Sequence, residues 1–119
     1  MMNKKLLLSI VLLIGVLFSF TPITILPTSL KITVLNELGN PVEDASVQLY
    51  TTDEDYRAEK NAVSKVQLTD GKGKTTFRKL ASIPYFVNVE KGDKNNDGAG
   101  VQTDSLRTGL LNKVTIIIE

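Results

Sequence analysis

Three stretches of this sequence place an apolar residue at every second position, and a turn signal sets each one off. They are Leu30, Ile32 and Val34; Ala45, Val47 and Leu49; and Tyr85, Val87 and Val89. A period of two belongs to a strand with one face in a core, whereas a helix needs 3.6. Glu37-Leu38-Gly39-Asn40-Pro41 turns the chain after the first stretch. Gly39 supplies a permissive backbone there, and Pro41 cannot continue a central ladder. Pro84 precedes the third stretch.

Between these anchors the pattern predicts further strands. One is expected near Val63 to Thr69, with Ser64, Val66 and Leu68 on one side. Asp70-Gly71 and Gly73 then predict a hairpin into Thr75 to Phe77. Lys113 to Glu119 holds Val114, Thr115, Ile116, Ile117 and Ile118, so a well-buried final strand is expected. Lys91 to about Gly100 reads as a long polar loop, and Val101 to Leu111 leaves room for one more short strand. The period breaks between Thr51 and Ala62. Thr52 followed by Asp55, acids in the first turn and an Asp53–Arg57 pair predict a short surface helix over about residues 53–61. The sum is an all-β antiparallel sandwich of six or seven strands with that one helix.

The N-terminus reads differently. Lys4 and Lys5 precede an uncharged run from Leu6 to Phe20, the layout of a secretory signal. As a helix that run reaches only about 22 Å, against roughly 30 Å of hydrocarbon. A cleaved signal over residues 1–29 is expected, with the cut between Pro22 and Leu30, and a domain over 30–119. The product is then exported: periplasmic, cell-surface or secreted. A retained anchor is the alternative, and the membrane is expected as a partner only through this segment.

Without Lys4 and Lys5, the 14 basic residues fall to 12 against 13 acids, a net charge of −1. The charges are interspersed along the sequence with no basic stripe, which argues against nucleic acid as a partner. The chain has no cysteine and no histidine. No disulfide can help the core, and the usual general base, the thiolate nucleophile and the best zinc ligands are missing. No catalytic constellation is expected and no cofactor is implied.

Three motifs remain as candidate sites. Asp93-Lys94-Asn95-Asn96-Asp97-Gly98 fits the D-x-[DN]-x-[DN]-G opening of a calcium loop, with Asp104 at the twelfth position. Asp93, Asn95, Asp97 and Asp104 are therefore a calcium candidate, against a solvated β-loop as the alternative. Strand parity sets Tyr50 and Phe86 on the face opposite Val47, Leu49, Val87 and Val89, with Leu35 and Ile117 as further members. Such an aromatic patch suits a sugar ring or a partner, unless the helix covers it through Tyr56 and Ala58. Finally, Lys31, Asn112 and Glu90 supply the residue types of an intramolecular Lys–Asn isopeptide bond.

The run Gly39-x-Pro41-Val42-x-x-Ala45-x-Val47, then Thr69-Asp70-x-x-Gly73-x-x-x-Phe77-x-x-Leu80, then Tyr85-x-Val87-x-Val89-x-Lys91-Gly92, resembles the carboxypeptidase regulatory-like domains. The resemblance implies an Ig-like, prealbumin-like (transthyretin-like) sandwich of the kind used as an accessory module in exported bacterial proteins. The enzyme branch of the transthyretin-like group, the hydroxyisourate hydrolases, relies on histidines, so the resemblance does not imply that activity. The expected function is a non-enzymatic binding or interaction module of the bacterial envelope, its partner an envelope protein or a glycan. A carbohydrate- or small-ligand-binding domain using the outward aromatic face is the alternative.

Overall fold

A computed structural model describes residues 26–119, and the expected signal segment lies for the most part outside them. Seven strands and one helix follow in order: β1 (Ser29–Asn36), β2 (Ser46–Tyr50), α1 (Asp53–Ala58), β3 (Gln67–Leu68), β4 (Lys74–Phe77), β5 (Phe86–Lys91), β6 (Lys94–Asn95) and β7 (Leu111–Ile118). They form two sheets, β4-β1-β7 (sheet A) and β3-β2-β5-β6 (sheet B). Among the described residues no helix is long and apolar enough to cross a membrane.

The alternation read from the sequence builds the core. Leu30, Ile32 and Val34 from sheet A meet Ala45, Val47, Leu49, Val87 and Val89 from sheet B, all at 0–1% exposure. Phe77, Tyr85, Leu106, Ile116 and Ile118 complete the cluster. A fully buried aliphatic side chain is worth about 1.5–3 kcal/mol relative to an exposed one. The apolar cluster is thus the principal driving force in a chain with no disulfide.

The sandwich matches expectation, but several details differ. β1 and β7 pair in parallel along their whole length, Ser29 with Leu111 through Asn36 with Ile118, while the other ladders are antiparallel. Parallel neighbours need a long crossover. Here the chain from β1 to β7 runs through the entire opposite sheet, and the segment after β6 brings it back to the start of β1. Sheet A has one face on the core, so only alternate residues of β7 are buried: Ile116 and Ile118 point inward, whereas Ile117 stays 45% exposed. β3 is just two residues long, with Val66 and Leu68 largely exposed. α1 stops at Ala58 because Glu59 takes a left-handed conformation. The polar loop after β5 contains the short strand β6.

The Asp70–Gly73 turn forms as expected, but it joins strands of different sheets and so makes a corner of the sandwich. Asp70 Oδ1 accepts from the amides of Lys72 and Lys74, which hold its carboxyl below the usual range. Gly73 sits at φ 76° against β1, and Val34 N donates to its carbonyl at 2.7 Å. Thr69, buried beside it, accepts from Ala45 N and donates to Val42 O. The family-like residues Thr69, Asp70 and Gly73 are therefore architectural.

The fold also sorts the charges that look interspersed in the sequence. The three strands of sheet A contain Lys31, Lys74 and Lys113 and no acid. The helix and its surroundings on sheet B hold Asp53, Glu54, Asp55, Glu59, Glu90 and Asp97.

Candidate functional site

β2 ends on Tyr50 and β5 begins on Phe86, and the register sets the two side by side. Parity turns both away from the core, as expected, yet Tyr50 is only 1% exposed. α1 lies over it. Thr52 caps the helix by accepting from Asp55 N at 3.0 Å, and Arg57 pairs with Asp53 at 2.8 Å. The ring of Tyr56 then stands edge-on to Tyr50 with centroids 6.1 Å apart. It also tilts by 31° over Phe86, again at 6.1 Å. Both separations suit aromatic contact. Tyr50 is thus the base of a three-ring stack, and Tyr56 and Phe86 form its accessible part. Leu35 and Ile117 do not join it: they face each other on the outer side of sheet A.

Beside the stack, α1, β5 and the loop after β6 enclose a cleft of about 440 Å³. Its walls are Asp53, Tyr56, Arg57, Glu59, Asn88, Glu90, Asp97, Gly98 and Val101. Tyr56 donates its hydroxyl to Asp97 Oδ1 at 3.1 Å, which anchors the loop to the helix. Burial, then the bond to Asp97 and the negative charges of Asp97 and Asp53, push the Tyr56 hydroxyl up to about 12. Burial and Glu59 raise Tyr50 as well. The cleft therefore offers a neutral aromatic donor among acids, with Arg57 already paired to Asp53. Such a surface accepts hydrogen bonds from ammonium, guanidinium or hydroxyl groups. The sequence reading does not single out Asn88 and takes Glu90 only as an isopeptide acid, although the alternation that turns Phe86 outward turns both outward too.

The other motifs end elsewhere. Asn95 lies in β6, and its Oδ1 accepts from Asp97 N at 3.0 Å. Asp97 is engaged with Tyr56, and Asp93 is exposed in the turn before β6. Asp104 lies further on, its carbonyl accepting from Thr103 Oγ1. Among the described residues no three His, Cys, Asp or Glu side chains gather to hold a metal ion. The motif's middle residue has a different task. Asn96 is fully buried, accepting from Val89 N and donating to Val87 O. The isopeptide trio is not assembled either. Asn112 spends its amide on Ser29 O, Arg107 O and Leu110 O, and Glu90 belongs to the opposite sheet from Lys31.

No protein-family model matches the chain. A search of curated proteins finds no match to it. Solved structures are similar. The major pilin subunit of Bacillus cereus aligns at TM-score 0.59 and 12% identity, over 77% of this chain and 28% of that one. A streptococcal ancillary pilin aligns at 0.53 and 15%, over 78% and 32%. The Bacillus anthracis TIE protein aligns at 0.52 and 18%, over 76% and 16%. The chain thus spans a third or less of each of these proteins. At such identities the likeness shows the fold alone, an Ig-like or prealbumin-like sandwich.

Proposed function

We propose that this chain is an exported, non-enzymatic interaction module of the bacterial envelope, and that its contact surface is the cleft beside α1. The observation that carries the reading is the placement of Tyr56. Its ring is seated on Tyr50 and Phe86 while its hydroxyl is fixed by Asp97, which gives a preorganised aromatic surface rimmed by acids. α1 has no fully buried residue, so packing of the core does not dictate where it lies. The absence of histidine and cysteine from the sequence supports binding over turnover. The likeness to pilin subunits and the carboxypeptidase regulatory-like motif set support a contact role, and the Leu6–Phe20 run supports export.

The acids favour a basic segment of an envelope protein as the occupant. A glycan is the second reading, favoured by the tilted Tyr56–Phe86 pair beside Asn88, Glu90 and Asp97, which can stack a sugar ring and bind its hydroxyls. A photo-reactive residue replacing Arg57 in intact cells tests the first, with one replacing Lys72 as control. One partner trapped from position 57 alone, and lost with Tyr56→Ala, is expected. Identical products from both positions would reject the cleft as the contact surface. A glycan array with wild type and Tyr56→Ala tests the second, and a signal lost in the variant would support it.

A further inference from the structure

The basic side of the molecule carries information that the cleft does not use. Register sets Lys31 beside Lys113, and Lys74 opposite Thr33. All three stand on the outer face of sheet A, opposite to Ile32 and Val34. Lys74 Nζ donates to Thr33 Oγ1, and neither Lys31 nor Lys113 forms an ion pair among the described residues. Arg78 follows β4 and is exposed. Segments 26–36, 71–89 and 105–118, which build this sheet and the loops at its lower end, contain no Asp or Glu.

At the end of this face where the chain comes in, Leu26, Leu110 and Leu111 are 62%, 50% and 46% exposed. With Lys31 and Arg78 they border a depression of about 360 Å³. Large apolar side chains left about half in water beside a face of a single sign are not accounted for by the core. That combination matches an interfacial membrane contact, in which apolar side chains enter the headgroup region and Lys and Arg meet anionic lipid phosphates. The preceding sequence points to the same occupant. The apolar run from Leu6 reaches Phe20 and is followed by Thr21 and Pro22. The link from Phe20 to Leu26, fully extended, is at most about 20 Å long. With that run kept as the retained anchor, the alternative to cleavage, this corner of the domain is held within reach of the bilayer surface.

We infer that Leu26, Leu110 and Leu111, framed by Lys31, Arg78 and Lys113, rest on the surface of a bilayer containing anionic phospholipid. The helix-covered face of sheet B then points away from the lipid. The inference does not depend on what the cleft binds, because it uses the opposite face of the sandwich.

The chain has no cysteine, so a single labelled thiol reports from one place. The full chain would be reconstituted with vesicles of phosphatidylglycerol and phosphatidylcholine. A fluorophore on Thr108→Cys, in the loop before β7, is compared with one on Asn40→Cys, in the turn after β1, and both are quenched by aqueous acrylamide. The label at 108 is expected to be shielded and the label at 40 fully accessible. Replacing Lys31, Arg78 and Lys113 with Gln should weaken the contact about fivefold per residue, and Leu110→Ser with Leu111→Ser should also expose the label. Wild type supplies a check free of folding defects, because salt near ~1 M, where the screening length is about 3 Å, should release the contact. Equal quenching at 108 and 40 would overturn the inference. So would equal shielding in phosphatidylcholine alone, since the basic face would then play no part. Shielding that appears without lipid and grows with protein concentration would assign the face to a second copy and overturn it as well.

Discussion

Asn96 allows the sharpest test of how this fold is held together. β6 covers only Glu90 and Lys91 of β5, and the chain returns to that edge only at the Phe86–Gln102 bridge, which leaves a gap beside Val87 O and Val89 N. The Asn96 side chain takes the vacant place. Its Oδ1 accepts from Val89 N at 3.1 Å, and its Nδ2 donates to Val87 O at 2.8 Å, both fully buried. Asn96→Ala orphans one buried N–H and one buried C=O. At about 1–3 kcal/mol each, the loss is about 2–5 kcal/mol once partial relaxation is allowed. That is a large part of the ~5–15 kcal/mol a domain has in total. Asn96→Asp separates hydrogen bonding from size. An ionised carboxylate still accepts from Val89 N but sets a second oxygen against Val87 O. A protonated carboxyl can donate there and restores both bonds. Burial and that bond raise the folded-state pKa of the new acid above its unfolded value of ~3.9. Its stabilising contribution is therefore complete below that pH and is lost as pH rises through the folded pKa. Urea unfolding followed by circular dichroism at acidic and neutral pH should show Asn96→Asp near wild type in acid and well below it at neutrality. A neutral-pH loss under ~0.5 kcal/mol for Asn96→Ala, the size of an ordinary surface change, would refute the argument. So would a gap for Asn96→Asp that does not narrow in acid.

Other outcomes follow from the same geometry. Gly73 is at φ 76°, and a Cβ there would lie 2.5 Å from Val34 O, so Gly73→Ala should cost about 2–4 kcal/mol in urea unfolding. A Cβ on Gly71, two residues earlier, would meet nothing within 4 Å and its φ is not positive, so Gly71→Ala should cost under ~0.5 kcal/mol. Asp97→Asn removes an anion and weakens a bond at Tyr56, so its titration, read by tyrosine absorbance, should fall below about 12. It should stop short of the ordinary value because burial, the largest cause, persists. Tyr50, Tyr56 and Tyr85 are all raised by burial first, so stability should be intact below about pH 10 and decline as pH rises through their folded values. Millimolar calcium should leave the melting temperature unchanged; a clear rise would mean that the oxygens of Asp93, Asn95, Asp97 and Asp104 converge after all.

The parts of this molecule legible in its sequence are those that local period controls. Leu30 to Val34, Ala45 to Leu49 and Tyr85 to Val89 announce their buried faces because side chains alternate strictly along a strand. Parity also turns Tyr50 and Phe86 outward correctly. It cannot say which sheet a strand joins, and so Leu35 and Ile117 look like neighbours of those rings when they belong to the other face of the sandwich. The third layer was legible through the break in period over Thr51 to Ala62, which offers Tyr56 on a covering helix, and Tyr56 does bury Tyr50 from outside the sheet. In the loop after β5 spacing alone does not decide, because Asn and Asp serve a strand edge as readily as a cation. At Asn96 the edge takes the amide, a choice fixed by β6 being only two residues long. The sorting of charge was equally hidden. Lys31, Lys74 and Lys113 are far apart in sequence and come together only because β1 pairs with both β4 and β7.

That central position of β1 has a mechanical side. β1 begins next to Leu26 and β7 ends next to Glu119, and the two strands run in parallel over eight paired positions. Tension applied between residues 26 and 119 would slide one strand along the other, loading the rungs of the ladder together instead of opening them in turn like a zipper. The sandwich should therefore resist stretching along this axis far better than its modest thermodynamic stability suggests. Single-molecule pulling through those two residues should show a high rupture force that drops sharply when the load enters through Asn40 in place of residue 26.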